Sequence, residues 1–196
     1  MDLKIVEVTS DQLEVYASIP IGFWVASVLQ VEANEKGLGG LHLIERQVEP
    51  AYYKDYDTQE AEASPVYWPK QFDISNWGLF LAMDGGKSIG GAAVAFHTGG
   101  INMLEDRDDL AVLWDIRVRP KRRGEGAGAS LFQYAAQWAR ARGCSQMKIE
   151  TQNVNVPACR FYARMGCDLG MIHRFGYAAV PACSHEAMLF WYLNLG

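Results

Sequence analysis

Between Arg119 and Ser130 the chain reads Arg-Pro-Lys-Arg-Arg-Gly-Glu-Gly-Ala-Gly-Ala-Ser. Residue types in this order make an anion site. A glycine-rich turn that opens a helix points backbone N–H groups outward, the helix dipole favours negative charge, and the glycines let a ligand approach the backbone closely. Arg122 and Arg123 add full charges. The ligand expected here is a phosphorylated cofactor. Around the turn stand other residues with usable chemistry. Asp115 and Glu150 are carboxylates on adjacent strand segments, and Asn155, Ala158 and Tyr162 follow the second of those strands.

Three phosphate ligands compete for the turn. A Walker-type loop needs Gly-Lys-Ser/Thr, and this turn ends Gly128-Ala129-Ser130 without lysine, which excludes it. A dinucleotide fingerprint, G-x-G-x-x-G/A, is met by Gly124, Gly126 and Ala129, with Glu150 near the place of a ribose-binding acid. Against it, Pro120-Lys-Arg-Arg separates strand from glycines, and the unit sits behind a β-hairpin. The third ligand is the pyrophosphate of an acyl-coenzyme A.

Arg123-x-x-Gly126-x-Gly128 is the R-x-x-G-x-G/A pattern of the GNAT superfamily of N-acetyltransferases, which this region resembles. The stretch Asn155, Ala158, Phe161-Tyr162 and Gly166 resembles the family's second element, N-x-x-A-x-x-F-Y-x-x-x-G. Three further strings look like those of streptothricin acetyltransferases: Phe72 to Gly78, Leu113 to Val118 and Lys148 to Tyr162. The similarity spans roughly residues 70–195, and residues 30–66 are not matched.

The resemblance implies an acetyl-CoA-dependent transfer to a primary amine of a cationic small molecule, the β-lysine moiety of streptothricin, without metal. Other acceptors stay open: a polyamine, an aminoglycoside or a protein lysine. So do a dinucleotide-binding oxidoreductase and a non-catalytic acyl-CoA-binding module. It further implies that backbone N–H groups from Arg123 through Gly124, Gly126, Ala127 and Gly128 hold the pyrophosphate, with Arg122, Arg123 and Ser130. The backbone of Ile116 and Val118 pairs with the pantetheine arm and polarises the acetyl carbonyl, stabilising an oxyanion. Asn155 and Ala158 complete the cofactor site, and Asn155 fits a helix N-cap equally well. Tyr162 is the expected general acid, giving a proton to the departing thiolate. It also fits a tyrosine packed beside Phe161.

The acceptor must lose a proton as well. A lysine-like amine, pKa about 10.4, is neutral at pH 7 about once in 2,500, a deficit near 4.6 kcal/mol. A carboxylate acting directly or through water offsets part of it. Asp115 and Glu150 are the candidates, and each could instead pair with a neighbour such as Arg117 or Lys148. Asp55, Tyr56, Asp57, Glu60 and Asp73, with the aromatic Trp77 and Trp114, are candidates for binding a polycationic substrate, or plain surface and core residues.

These residues need elements to position them. Leu3 to Val8 alternates at period two and reads as a strand. Gly22 to Ala33 carries apolar residues at helical spacing (Phe23, Ala26, Leu29 or Gln30). Glu45 to Lys70 is polar, acidic and aromatic without clean period, and is expected as a loop or helix–loop lid over the substrate. Trp77 to Met83 and Ser88 to Phe96 flank Asp84-Gly85-Gly86, a hairpin signal. Ala111 to Arg119 is a strand, and about Gly126 to Arg142 a helix with Leu131, Tyr134, Ala135 and Trp138 on one face, stopped by Gly143. Gln146 to Thr151 is a strand and Pro157 to Met165 a short helix ended by Gly166. Strands at about Leu169 to Tyr177 and Glu186 to Leu193 close the chain. The expected fold is α/β (α+β): a GNAT-like mixed, mostly antiparallel central sheet with a splayed parallel pair and helices on both faces, one domain over residues 1–196.

Composition agrees with an ordinary globular protein: 196 residues, 49% hydrophobic and 21% charged. The net charge of −5 hides an asymmetry. Residues 1–110 hold 18 acids and 7 bases, whereas residues 111–196 hold 5 acids and 11 bases. A basic half suits an anionic cofactor, and an acidic half a cationic substrate. The bases cluster at one turn instead of forming a stripe, so nucleic acid is not an expected partner. The start is no signal peptide, and the uncharged stretch Val15 to Val31 falls short of a membrane span. Cys144, Cys159, Cys167 and Cys183 form no C-x-x-C pair and are expected as reduced thiols of a cytoplasmic protein. The scattered histidines suggest no metal site. A homodimer is compatible with the resemblance.

Overall fold

The computed structural model describes residues 2–58 and 62–196. In chain order its elements are β1 (Leu3–Val8), α1 (Leu13–Ala17), β2 (Phe23–Ala33), β3 (Leu41–Lys54), α2 (Trp68–Gln71), β4 (Gly78–Asp84), β5 (Lys87–Ala95), β6 (Leu110–Val118), α3 (Ala127–Ala141), β7 (Gln146–Gln152), α4 (Val156–Arg164), β8 (Asp168–His173) and β9 (Met188–Asn194). Two compact units divide them: residues 1–21, 55–149 and 193–196, and residues 22–54 and 150–192. Among the described residues no helix is long and apolar enough to cross a membrane.

In the first unit the strand order is β1-β4-β5-β6-β7. All neighbours are antiparallel except β6 and β7, whose parallel register pairs Leu110–Leu113 with Gln146–Ile149. The β4–β5 turn is the expected one. Gly85 and Gly86 have φ of 55° and 79°, the left-handed pair a two-residue hairpin demands. Leu110 to Leu113 are all buried, as expected of a strand covered on both faces. Two glycines of β5 show what covers it. A Cβ at Gly91 would lie 2.6 Å from the Tyr16 ring of α1, and one at Gly90 would lie 3.0 Å from Leu131 of α3. The bare backbone lets both helices seat closely.

The α3 helix buries Leu131, Phe132, Ala135, Trp138 and Ala139, one apolar stripe. It ends in a Schellman cap: Gly143, at φ 85°, donates to Arg140, and the next N–H, of Cys144, donates to the Ala139 carbonyl.

In the second unit, β7 passes into α4, and β8 pairs antiparallel with β9. The α4 helix starts on Asn155, whose side chain accepts from Ala158 N, and carries proline in its first turn. It closes like α3: Gly166 (φ 87°) and Cys167 donate to the carbonyls of Ala163 and Tyr162.

Residues 23–33 form strand β2, not a helix, and residues 41–54 form strand β3, not a loop or lid; the two pair as an antiparallel ribbon. Phe23 and Val25 are buried while Trp24 and Ala26 are exposed, so the working period is two. The aromatic and β-branched residues of Phe-Trp-Val-Ala-Ser-Val-Leu-Gln-Val favour a pleated surface, and that preference prevails over the fortuitous helical spacing. A two-stranded ribbon leaves much of both faces to solvent, which explains the polar, aperiodic look of β3. The expected strand Leu169–Tyr177 ends earlier, at His173.

Candidate active site

The glycine turn is built as its sequence implies. After β6, a 3-10 turn at Pro120–Arg122 leads through Arg123 to Gly124 and Gly126, both in the left-handed region (φ 83° and 91°). Gly126 is the N-cap of α3 and offers no side-chain acceptor. The helix's first described bond runs from Ser130 N to Gly126 O, 3.0 Å, so the N–H groups of Ala127, Gly128 and Ala129 have no acceptor within the helix. A Cβ at Gly124 or Gly126 would meet nothing within 4 Å, so the turn is open above its backbone. Arg122 is held by Asp84 and Glu125, both at 2.7 Å, which raise its pKa. Arg123 Nε donates to Val118 O at 3.0 Å. Arg119 was not singled out by its sequence, yet it anchors the turn, donating to Ser88 O at 2.8 Å and to Ser18 O and Oγ at 3.1 Å.

Strand β6 carries a bulge at the centre of the unit. Asp115 faces Ala93 and Leu113 faces Val94, which leaves Trp114 as the extra residue. Ile116 and Val118 stay in register with Ala92 and Gly90. Asp115 takes three donors: Arg117 Nε at 2.9 Å, Arg117 Nη2 at 2.7 Å and the Tyr16 hydroxyl at 2.7 Å. Arg117, itself 3% exposed, also grips Asp57. Burial, followed by the Asp115 charge, pushes the Tyr16 phenol well above its ordinary pKa. The arrangement gives Asp115 the part of a counter-ion.

The aromatic candidates form one cluster. Trp77 is 7% exposed, packs against Trp68, Phe72 and Trp114, and donates its Nε1 hydrogen to Thr98. Trp114 is half-buried. Trp77 and Asp73 also line a cleft of about 830 Å³ with Phe72, Glu7, Trp138 and Arg142. Asp73 accepts from Ser75 N in a local turn that lowers its pKa. Asp55 accepts from Asp57 N in a similar turn, and Tyr56 follows it, half-buried. Glu60 lies outside the described residues.

The second unit holds the other carboxylate. Glu150 accepts the Tyr177 hydroxyl, a partner 27 residues away that no local pattern signals. Burial raises the Glu150 pKa; the Tyr177 bond opposes this, the Glu186 charge adds to it and Lys54 lowers it. Lys148, the other partner considered for Glu150, is engaged by Glu105 at 2.6 Å in the first unit. Asn155 caps α4 at 3.2 Å from Ala158 N. Tyr162 is 6% exposed, with its ring edge-on to Phe161 and near Trp191. All four cysteines are free and buried, and burial pushes the thiol of Cys144 up to about 11 and those of Cys159 and Cys167 up to about 12. Among the described residues no group of three or more His, Cys, Asp and Glu could hold a metal ion.

A profile described as the acetyltransferase (GNAT) family matches residues 42–167. Streptothricin acetyltransferase of Escherichia coli is 33% identical over 172 residues, 87% of this chain and 84% of that one. Streptothricin acetyltransferase A of Bacillus subtilis (strain 168) is 27% identical over 140 residues, 69% and 77% of the two chains. Among solved structures, nourseothricin acetyltransferase superposes with a TM-score of 0.77 at 24% identity over the whole of both chains, a likeness of fold. A Bacillus anthracis str. Ames protein assigned as a streptothricin acetyltransferase, solved with acetyl coenzyme A, has a TM-score of 0.75 at 25% identity, covering 98% of this chain and 99% of that one. The pyrophosphate-type turn, the mixed sheet with its parallel pair β6–β7 and these matches agree: the chain belongs to the acetyltransferase (GNAT) family.

Proposed function

We propose that this protein transfers the acetyl group of acetyl-CoA to a primary amine of streptothricin, on its β-lysine moiety, and so inactivates the antibiotic. The observation that carries the reading is the 33% identity, over 87% of the chain, to a streptothricin acetyltransferase. The turn fits the co-substrate. Its helix N-terminus is uncapped by any side chain, and the space above Gly124 and Gly126 is open. The backbone N–H groups of Gly124, Gly126, Ala127 and Gly128, with Arg122, Arg123 and Ser130, hold its pyrophosphate. Ile116 and Val118 bind the pantetheine arm through their backbone, and Asn155, Ala158 and Tyr162 serve the same ligand. Acetyl-CoA supplies an activated acetyl thioester.

The residues of the chain handle the protons. Glu150 takes the proton of the acceptor ammonium, for which its raised pKa suits it. The Tyr162 hydroxyl gives a proton to the departing sulfur. Asp115 is assigned to holding Arg117 and Tyr16, because three donors already occupy its carboxylate. Asp55, Tyr56 and Asp73 supply acidic and polar contacts to a polycationic acceptor, Trp114 on the bulge adds an aromatic face, and Trp77 packs against that ring from the core. One single-domain enzyme, working in the cytoplasm where acetyl-CoA is made, completes the reading; a homodimer is compatible with it. Thiol release from acetyl-CoA in the presence of streptothricin, polyamines, aminoglycosides and lysine peptides tests it. Release with streptothricin above all others is expected, and release with none of them contradicts the proposal.

A further inference from the structure

The second unit contains a buried charge group that the reaction above does not use. Lys54 ends strand β3, and its ammonium pairs with Glu186 Oε1. Their side chains are 4% and 2% exposed. The other oxygen, Glu186 Oε2, is buried with no hydrogen-bond partner among the described residues. A buried carboxylate oxygen without a donor is costly, so its persistence calls for a reason.

The backbone places this group beside the proposed base. Asn153 N donates to Ala187 O at 3.0 Å, and Ala187 N donates to Asn153 Oδ1 at 2.8 Å. Glu186 is thereby fastened to the end of β7, the strand that carries Glu150. Several ionisable groups neighbour the two carboxylates. Tyr177 donates to Glu150. The Tyr52 phenol is raised by burial and then by the Glu186 charge. His185, largely exposed, has Nε2 3.9 Å from Glu186 Oε1. Glu186, Lys54 and Tyr177 are buried, and Glu150 is half-buried.

We propose that Glu186, anchored by Lys54, is a positioning residue for Glu150: its buried carboxylate charge sets how readily Glu150 takes the acceptor's proton. A like charge disfavours ionisation of its neighbour, and a base is most effective when its affinity for the proton approaches the working pH. The Lys54 ammonium, paired with Glu186, tempers the effect. The inference rests on Glu150 being the base, but its physical content is testable without turnover.

The experiment follows the Glu150 carboxyl by carbon NMR in protein labelled at its glutamates, with E150Q to assign the signal. The acidic limb of kcat/KM for streptothricin is measured alongside. In E186Q the Glu150 midpoint falls and the limb moves to lower pH, so that one pH unit below the wild-type limb the variant keeps at least about twofold more of its plateau rate. In the double variant K54Q/E186Q, a neutral pair of the same size, the midpoint lies above that of E186Q, because the lysine charge is gone too. General loosening of the unit would wet Glu150 and lower both variants alike. An unmoved midpoint in E186Q, or a double variant at or below the single one, overturns the role of Glu186. E150Q at wild-type rate overturns the base itself.

Discussion

Arg117 Nη1 lies 2.7 Å from Asp57 Oδ2, joining strand β6 to a residue 60 positions earlier. The same guanidinium donates to Asp115 and to the Ile19 carbonyl, and its side chain is 1% exposed. A buried arginine with two carboxylates is a constraint on geometry more than a source of net stability. Removing it strands both acids. Arg117→Met is expected to cost about 3–5 kcal/mol in urea unfolding, while Asp57→Asn, at the wetter end of the network, costs clearly less. Equal losses in the two variants would contradict this picture.

The two strand carboxylates part company when each is neutralised. Glu150→Gln lowers kcat by about 10²–10⁴-fold and leaves the KM for acetyl-CoA within about twofold, because the proton acceptor alone is lost. Asp115→Asn keeps kcat within about tenfold and loses stability instead, since Tyr16 and Arg117 keep a weaker acceptor. With a base whose pKa is raised, wild-type kcat/KM falls as the pH drops through a value above the ordinary glutamate range. Steady-state kinetics and denaturation of both variants decide the assignment. A reversed pattern makes Asp115 the base.

Gly126 caps α3 at φ 91°, where a Cβ is strained by about 1–2 kcal/mol although space is free. Gly126→Ala therefore flattens or tilts the turn. The KM for acetyl-CoA is expected to rise about tenfold, with the KM for the amine little changed. An unchanged acetyl-CoA KM would mean that the turn does not hold the pyrophosphate.

The thiols should be silent in the folded protein. Cys144, Cys159 and Cys167 are buried and their pKa values are pushed up, so almost no thiolate is present near pH 8. Ellman's reagent should react with them only as fast as the protein opens, and fully in denaturant. Rapid labelling of Cys159 in native protein would contradict the packing around α4.

Local chemistry made much of this molecule legible beforehand. The glycines of the β4–β5 turn, the α3 start and both Schellman ends act through their own φ angles, so a string of residues suffices to announce them. The cap at Asn155 is local in the same sense. What escaped depends on distant partners. The ribbon of β2 and β3 exposes much of each strand, and the spacing of Phe23, Ala26 and Leu29 imitated a helix until pairing with residues 41–54 fixed period two. The bulge at Trp114 exists only relative to Val94 and Ala93. Tyr177 on Glu150, Lys54 on Glu186 and Asp57 on Arg117 join residues 27, 132 and 60 positions apart, and no periodicity encodes such pairs.

Acetyl transfer to streptothricin is directly measurable. Purified protein, acetyl-CoA and streptothricin are mixed, thiol release is followed with time, and the antibiotic is then examined by mass spectrometry. One acetyl group added per thiol released, on the β-lysine amine, is the expected result. Intact antibiotic with no thiol above the enzyme-free rate would contradict the account.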